Sequence, residues 1–399
     1  MFMTTFYAIS LKLFNYKITD EVTDMKITYY GTSAAEAWPA LFCECEACRL
    51  ARKYGGKNVR SRSQTLIDDT LLLDFPPDTN YHAQVLGLNL RKVRTLLLTH
   101  SHHDHFFPAD LGLRADQYAE GLTEEKLTVY GNETVISMCE DAKRVCRNPE
   151  QYITFHEIQP FETFETPDGY QVTTLLADHN PSEKSMMYLI QREGKQILYA
   201  HDTGIFPEST WKFLEGKYLD LASLDCTALS RDWRQGHMGF QAVDEVRDRL
   251  KKMGCIDEKT TLVLNHMAHY GDFTHEKICA LENPKGYEVA YDGWAGDLNK
   301  AARGVIEDTD GKIYTLMTTG SCLGTAVNMN VCEAAGEIST LPSETTKSYG
   351  MQMMEEMESH FPNVFYDNLW DRKYMPSGMW NVFQVAAGMF CEDQSDDSK

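Results

Sequence analysis

The sequence predicts an α/β protein whose main domain extends from Met25 to about Trp294. Within that stretch, short apolar runs of strand length alternate with segments whose apolar residues follow helical periodicity. Of the 399 residues, 43% are hydrophobic and 24% are charged, which is the balance of a globular chain with a sizeable core. No apolar run reaches the roughly 20 residues that a membrane helix requires, so we expect no membrane partner.

The charge and the cysteine content narrow the class of protein. Asp and Glu number 59 against 38 Lys and Arg, a net charge of −21 that is poorly suited to holding a phosphate backbone by charge alone. This net charge is still compatible with a local basic groove. The 11 cysteines are odd in number, and three of them lie together in a long chain. This pattern favours reduced thiols and a metal site in the cytoplasm over a disulfide-bonded secreted domain.

Two segments flank the main domain. Residues 1–24 are moderately apolar but lack the basic segment and cleavage site of a secretory signal, so we expect an N-terminal extension. Residues 295–399 are rich in Gly, Thr, Asn and Met and form a C-terminal extension of unknown role. Within it, we expect a hairpin between Val305-Ile and Ile313-Tyr. A calcium loop is disfavoured because Thr319 stands where a chelating Glu is needed.

The main domain begins with a strand from Met25 that ends in a turn at Gly31. Four later apolar runs have strand length and are each followed at once by polar side chains, as expected where buried strands deliver residues to a site. These runs are Leu71–Asp74, Val93–Thr99, Gln196–Ala200 and Thr261–Asn265. A helix is predicted over Phe240–Lys252, where four apolar residues form one stripe.

A histidine cluster directly follows the second of these runs, as His100-Ser-His102-His103-Asp104-His105. In extended backbone, alternate residues point the same way, so His100, His102 and Asp104 are predicted to converge, while His103 faces away. His105 then lies where the chain turns toward a helix that Pro108 helps to start. Imidazole and carboxylate groups are natural ligands for zinc, manganese or iron, and four of them in six residues could hold two ions.

His-x-His-x-Asp-His after a strand resembles the signature of the metallo-β-lactamase superfamily. The resemblance implies a four-layer αβ/βα sandwich with a metal site at one edge. It also implies three further ligands in a fixed order, which His179, Asp202 and His266 match, and a bracing role for Asp74.

On this resemblance, one divalent ion is held by His100, His102 and His179. The other is held by Asp104, His105 and His266, with Asp202 bridging the two. Two such ions roughly 3.5–4 Å apart activate a shared water for hydrolysis. The oxygen-reducing branch of the superfamily carries Glu where this chain has His102, which disfavours a redox role.

A second metal site is predicted from Cys43, Cys45 and Cys48, three thiols within six residues. A closed structural zinc needs four ligands, and His269, three residues beyond His266, is the economical fourth. Such a zinc would tie the N-terminal loop to the active-site loop. The alternative is free buried cysteines or a disulfide pair.

The cysteine loop, the Arg60–Ser63 segment and the later His-x-x-His together resemble the PhnP-type cyclic phosphodiesterases, and PqqB has a similar cysteine loop. Ala35–Trp38 stands where those relatives usually carry glycine, so the substrate can differ. In that group a histidine placed like His237 is thought to be the proton donor. We expect the same role for His237, with Asp104 as the alternative; a capping or buried histidine is the structural interpretation.

The sequence therefore predicts a dinuclear metal-dependent hydrolase of a small or cyclic phosphodiester, with Arg60 or Arg62 supplying positive charge for the phosphate. Relatives imply a homodimer. A nucleic-acid phosphodiesterase is disfavoured by the acidic charge, whereas hydrolysis of a lactam, lactone or thioester stays open because the same chemistry attacks carbonyls. A non-enzymatic metal-binding accessory protein is disfavoured because all seven candidate ligands are present.

Overall fold

The computed structural model describes residues 25–122 and 125–298, together with the backbone of three short strands at 15–17, 302–307 and 313–318. The chain divides into two compact units, Met25–Trp294 and the remaining residues 1–24 with 295–399. Most of the predicted N-terminal and C-terminal extensions lies outside the described residues. Among the described helices, none is long and apolar enough to cross a membrane.

The smaller unit contains a three-stranded antiparallel sheet. Its strands, in spatial order, are Asn15–Lys17, Ala302–Glu307 and Ile313–Thr318. Ile306 lies opposite Tyr314, which confirms the predicted pairing of these two segments.

The larger unit contains two mixed sheets. The first holds, side by side, β1 (Lys26–Gly31), β2 (Gln64–Ile67), β3 (Leu71–Leu73), β4 (Thr95–Leu97), β5 (Leu127–Gly131) and β6 (Ile153–Glu157). The second holds β7 (Thr163–Glu165), β8 (Gln171–Leu176), β9 (Met186–Arg192), β10 (Lys195–Ala200), β11 (Leu221–Asp225), β12 (Thr261–Asn265) and β13 (Tyr287–Val289). In the first sheet, the strands from β1 to β3 pair antiparallel and those from β3 to β6 pair parallel. In the second sheet, the strands from β7 to β10 pair antiparallel and those from β10 to β13 pair parallel. A further strand, Trp294–Asp297, begins at the last residue of this unit.

Helices cover the outer face of each sheet. They are α1 (Glu46–Tyr54), α2 (Thr79–Gln84), α3 (Glu133–Met138), α4 (Glu208–Leu214), α5 (Phe240–Lys252) and α6 (His275–Glu282). Four of them, α1, α4, α5 and α6, pack on the second sheet in one large apolar core. Helix α3 packs on the first sheet in another. The inner faces of the sheets meet, where Tyr29 of β1 bonds Ser223 of β11 at 2.7 Å. This arrangement confirms the predicted αβ/βα sandwich.

The predicted elements of the main domain are confirmed with small changes of bounds. Helix α5 has the predicted bounds, and its apolar stripe is buried. The run predicted as a strand over Val93–Thr99 pairs only as Thr95–Leu97, because its last residues leave the sheet toward the histidine cluster.

The carboxyl ends of the parallel strands meet at one edge of the sandwich. Strand β8 runs in the same direction as β10, because each of the two is antiparallel to β9, so its carboxyl end lies at this edge as well. Ligand sites of open α/β sheets typically form at such an edge. Asp74, Asp202 and His266, each just beyond a strand, have left-handed backbone with φ of 64°, 51° and 59°. Non-glycine residues seldom adopt this conformation, and it is concentrated at functional sites.

Candidate metal centre

Two groups of three side chains face each other at this edge. In the first group, His102 Nδ1 lies 3.1 Å from His179 Nε2. The ring of His100 lies 4.5 Å from the ring of His102 and 4.7 Å from that of His179, centre to centre. The three ligand atoms are all within 4.8 Å of one another, which is close enough for one ion to contact all three.

The second group consists of Asp104, His105 and His266, all buried. His105 Nε2 lies 3.3 Å from Asp104 Oδ2 and 3.1 Å from His266 Nε2. These are the same two groups that the family resemblance implied.

Asp202 lies between the two groups. Its Oδ2 is 2.8 Å from His105 Nε2 and 3.0 Å from His266 Nε2, and its Oδ1 is 3.5 Å from His179 Nε2. Despite these short distances, Oδ2 has no hydrogen bond of acceptable geometry, and neither does the buried Nε2 of His100. Buried polar atoms are normally satisfied, so atoms left without partners amid converging nitrogen and oxygen donors fit a shared divalent cation.

Outer contacts fix which nitrogen faces the centre in three of the histidines. His105 Nδ1 lies 2.7 Å from Asp74 Oδ2, and His179 Nδ1 donates to the carbonyl of Gly236 at 2.9 Å. His266 Nδ1 lies 2.8 Å from Thr227 Oγ1. In all three, Nε2 is thereby directed inward. Such partners orient metal-binding histidines and make them better ligands.

The position predicted for Asp104 by alternation is wrong. Alternation along an extended chain would group Asp104 with His100 and His102. The backbone instead turns after His102, whose carbonyl accepts from the N–H of His105 at 2.9 Å, and this turn carries Asp104 to the second group. His103 is exposed, in agreement with its exclusion from the site.

His237 lies beside the centre. Its ring stacks on that of His266 at 5.7 Å and 14°, and its Nδ1 lies 3.0 Å from Asp225 Oδ2. Burial lowers the pKa of His237, but the charge and hydrogen bond of Asp225 outweigh burial and raise it to about 9. Its hydrogen bonds and ion pairs with other described residues are made through Nδ1, which leaves Nε2 available.

Asp225 is a functional residue that the sequence did not predict. The carboxylate accepts from the backbone N–H groups of Thr227 and Met238, both at 3.0 Å, and so organises the loop that presents His237. The signal was available, because Leu221–Asp225 is an apolar strand that ends in Asp, like the strands before Asp74 and Asp202.

Glu183 was missed as well, and no sequence signal marks it. Its carboxylate accepts from Ser101 Oγ at 2.7 Å, Asn180 Nδ2 at 2.8 Å and Asn132 Nδ2 at 2.8 Å. Ser101 stands between two histidines of the first group, and Asn180 follows the third. Glu183 therefore holds the two loops of that group together.

The cysteine cluster forms a separate group of candidate ligands. Cys45 Sγ and Cys43 Sγ lie 3.3 and 3.6 Å from His269 Nδ1, and Cys48 completes a set within 4.8 Å. Glu36 Oε1 lies 3.4 Å from the other nitrogen of His269. None of the eight cysteines in the described part of the chain forms a disulfide, and this donor set has the composition of a structural zinc site.

The two arginines considered for substrate phosphate differ. Arg60 is buried and donates to Thr32 Oγ1 at 2.9 Å and to the carbonyl of Ala290 at 2.5 Å. That expectation is therefore wrong for Arg60, because its guanidinium is used inside the fold. Arg62 Nε lies 3.5 Å from Asp78 Oδ2 with its side chain 16% exposed.

Comparisons with known proteins bear on the family and the fold. Residues 70–267 match the family model described as the beta-lactamase superfamily domain. Ribonuclease Z from Lactiplantibacillus plantarum is 31% identical over 127 residues, which cover 31% of this chain and 40% of that protein. The chain therefore matches less than half the length of this curated relative.

Two solved structures share the fold at low identity. A diphosphatase of the PhnP family is 21% identical, covers 69% of this chain and 97% of its own, and has a TM-score of 0.54. Zn²⁺-bound PqqB from Methylobacterium extorquens is 19% identical and has a TM-score of 0.51. The match covers 68% of this chain and 99% of that protein's chain. The motif, the fold and the matched family model together confirm the sequence-based assignment: this chain belongs to the metallo-β-lactamase superfamily.

Proposed function

We propose that the chain is a dinuclear metal-dependent hydrolase of a small or cyclic phosphodiester. The observation that carries the proposal is the pair of ligand groups on either side of Asp202, with buried donor atoms that lack partners. Two divalent ions bound there would lower the pKa of a water molecule and stabilise the entering and leaving oxygens. The proposed ligands are His100, His102 and His179 for one ion, Asp104, His105 and His266 for the other, and Asp202 for both.

We assign His237 the role of proton donor to the leaving alkoxide. Asp225 orients the ring through Nδ1 and favours its protonated form, so Nε2 can deliver a proton. Asp104, the alternative donor, faces His105 and His266 and is better suited to binding an ion.

The cysteine cluster is proposed to bind one structural zinc. The zinc would tie the loop before α1 to the segment that carries His266 and His269, and so support the catalytic edge from outside. The similarity to Zn²⁺-bound PqqB is compatible with this metal.

The proposal is tested by hydrolysis of bis(p-nitrophenyl) phosphate with the purified protein loaded in turn with Mn²⁺ and Zn²⁺. We expect metal-dependent turnover that disappears in Asp104→Ala. Silence with both metals bound, together with turnover of a lactone or thioester, would contradict a phosphodiesterase and favour a carbonyl hydrolase.

His237→Gln is expected to affect substrates according to their leaving group. A proton donor contributes typically 10²–10⁴-fold when the leaving group is a poor alkoxide, and far less for p-nitrophenolate, which needs no proton. We therefore expect a large loss of kcat on an alkyl phosphodiester and a small loss on bis(p-nitrophenyl) phosphate, at unchanged metal content. Equal losses on both substrates would refute the proton-donor role.

A nucleic-acid phosphodiesterase is the second candidate, favoured by the similarity to ribonuclease Z. The cluster of Arg91 and Lys92, which are exposed, and Arg114, which is partly buried, would be its natural RNA contact. These are already engaged, since Lys92 pairs with Asp69 at 2.9 Å and Arg114 donates to the carbonyl of Glu125 at 2.9 Å. Cleavage of a structured RNA with a steep salt dependence would favour this candidate over the small substrate.

A further inference from the structure

Three side chains form a stack near the metal centre, which we call the aromatic platform: Arg231 and Trp233, which are exposed, and Tyr270, which is partly buried. The rings of Trp233 and Tyr270 meet edge to face at 5.5 Å. The guanidinium of Arg231 lies 3.7 Å from the centre of the Tyr270 ring and 5.9 Å from that of Trp233. Trp233 is 38% exposed, and Arg231 is exposed as well.

The platform lies close to the metal centre along both of the segments that form it. Trp233 precedes His237 by four residues, and Tyr270 follows His266 by four. The rings of His237 and His266 stack on each other, as Trp233 and Tyr270 contact each other further along. Four residues reach at most ~14 Å even when fully extended, so a substrate of modest length could span platform and metal centre.

The loop that carries Arg231 and Trp233 is held in one conformation. Leu229 accepts from the N–H of Phe240 at 2.7 Å, and Trp233 accepts from the N–H of Gly239 at 3.2 Å. A Cβ atom on Gly239 would overlap the carbonyl of Arg231, so the loop requires glycine there. The platform is thus ordered before any ligand binds, which lowers the entropic cost of binding.

The charge of Arg231 is unusual in a chain with a net charge of −21. The neighbouring Arg234 pairs with Asp232 at 3.0 Å and with Glu245. Among the described residues, Arg231 forms no ion pair with a carboxylate, and its side chain contacts the two rings. A cation over an aromatic face is attracted by the ring, and both flat surfaces can stack on a further planar group.

We propose that the aromatic platform binds the base of a nucleoside phosphodiester whose phosphate occupies the metal centre. This inference rests on the proposed function and names its substrate class. Bases are recognised in proteins by stacking on aromatic rings and on arginine planes, and the contact tolerates different bases because each has a flat face.

Equilibrium binding tests the platform separately from turnover. The probes are adenosine 3′-monophosphate and ribose 5-phosphate, titrated into the Zn²⁺-loaded protein by calorimetry. Both carry a phosphate for the metal centre, but only the first has a base. We expect the nucleotide to bind roughly tenfold more tightly, the scale of one stacked base. Tyr270→Leu and Arg231→Gln should each reduce this preference severalfold.

Tyr54→Leu is the matched control, since Tyr54 is an exposed tyrosine with Lys53 over its ring at 5.1 Å in helix α1. This control should keep the preference. Equal affinities for the two probes, or an undiminished preference in Arg231→Gln, would overturn the platform. Arg231 is on the surface, so this second variant tests the idea even if Tyr270→Leu fails to fold.

The two proposals can fail separately. Hydrolysis of bis(p-nitrophenyl) phosphate without any preference for the nucleotide would retain the phosphodiesterase and reject the platform. A nucleotide preference that the variants abolish, in a protein that hydrolyses no phosphodiester, would retain the platform and reject the phosphodiesterase.

Discussion

Asp202→Asn is expected to lower kcat/KM for bis(p-nitrophenyl) phosphate by roughly a hundredfold to a thousandfold, the scale of losing one preorganised electrostatic group at a reacting centre. Burial raises the pKa of Asp202, but His105 and His266 hold it well below its usual range, so the carboxylate is ionised. Asparagine keeps the shape of the side chain and removes this charge between the two ligand groups.

The metal content should report the same change. Asp202 approaches His105 and His266 in one group and His179 in the other, so its loss weakens both proposed ion sites. We expect elemental analysis to find less than two equivalents of metal at the centre after dialysis. The fold should persist because Asp202 lies beyond the end of β10 and is not part of the apolar core.

Asp220→Asn is the matched control. Asp220 lies at the opposite edge of the same sheet, just before β11, where it pairs with Lys195 at 2.9 Å. This variant should keep its metal and its activity. Full activity in Asp202→Asn, with both metals bound, would contradict a bridging carboxylate.

Much of the candidate metal centre could be predicted from the sequence, because each proposed ligand of its two ions follows a recognisable strand. An apolar run such as Thr261–Asn265 must lie in the interior, and the polar residue just after it must therefore lie at a sheet edge. Parallel pairing then brings these edges together, as β10, β11 and β12 do. The order of the ligands along the chain came from the family resemblance, not from periodicity.

Periodicity failed where the backbone leaves regular structure. The two-residue alternation holds only while the chain is extended, and the turn that follows His102 redirects Asp104. Similarly, Arg60 and Arg62 are two residues apart, so alternation would place both side chains on the same face. Arg60 is nevertheless buried, whereas Arg62 is in part exposed. Which arginine is buried depends on contacts with residues more than 200 positions away, such as Ala290.

Residues that act through other residues were the hardest to find. Glu183 stands in a polar loop without any motif, and its role follows only from the positions of Ser101, Asn132 and Asn180 around it. Asp225 could have been noticed as a carboxylate at a strand end, but its partner His237 lies beyond an irregular loop. Neither relation has a fixed spacing that a single sequence reveals.

Cys45→Ser is expected to lower the zinc content by about one equivalent and to destabilise the larger unit. Cys45 Sγ lies 3.3 Å from His269 Nδ1, and Cys45 is also the residue that precedes α1, where its carbonyl accepts from the N–H of Arg49 at 3.0 Å. A serine hydroxyl is a poor replacement for a thiolate as a zinc ligand, so three ligands would remain where a closed site needs four.

Loss of the zinc should also disturb the metal centre, because the two sites share one segment of the chain. His269 lies three residues beyond His266, so releasing it loosens the segment that holds a proposed ligand of the second ion. We therefore expect a lower midpoint of thermal unfolding and a reduced kcat. Added Mn²⁺ should restore neither of them, even in part. Mn²⁺ prefers oxygen donors and would not replace zinc at the thiolates.

Cys279→Ser separates zinc binding from the general effect of losing a thiol. Cys279 is also partly buried, and its Sγ lies 3.4 Å from His275 Nε2, but it belongs to none of the candidate metal groups among the described residues. This variant should keep its zinc content and lose little stability, since it removes a sulfur beside a histidine without removing a metal ligand. Unchanged zinc in Cys45→Ser would reject the structural zinc, because a closed site that loses one of its four ligands should lose its ion.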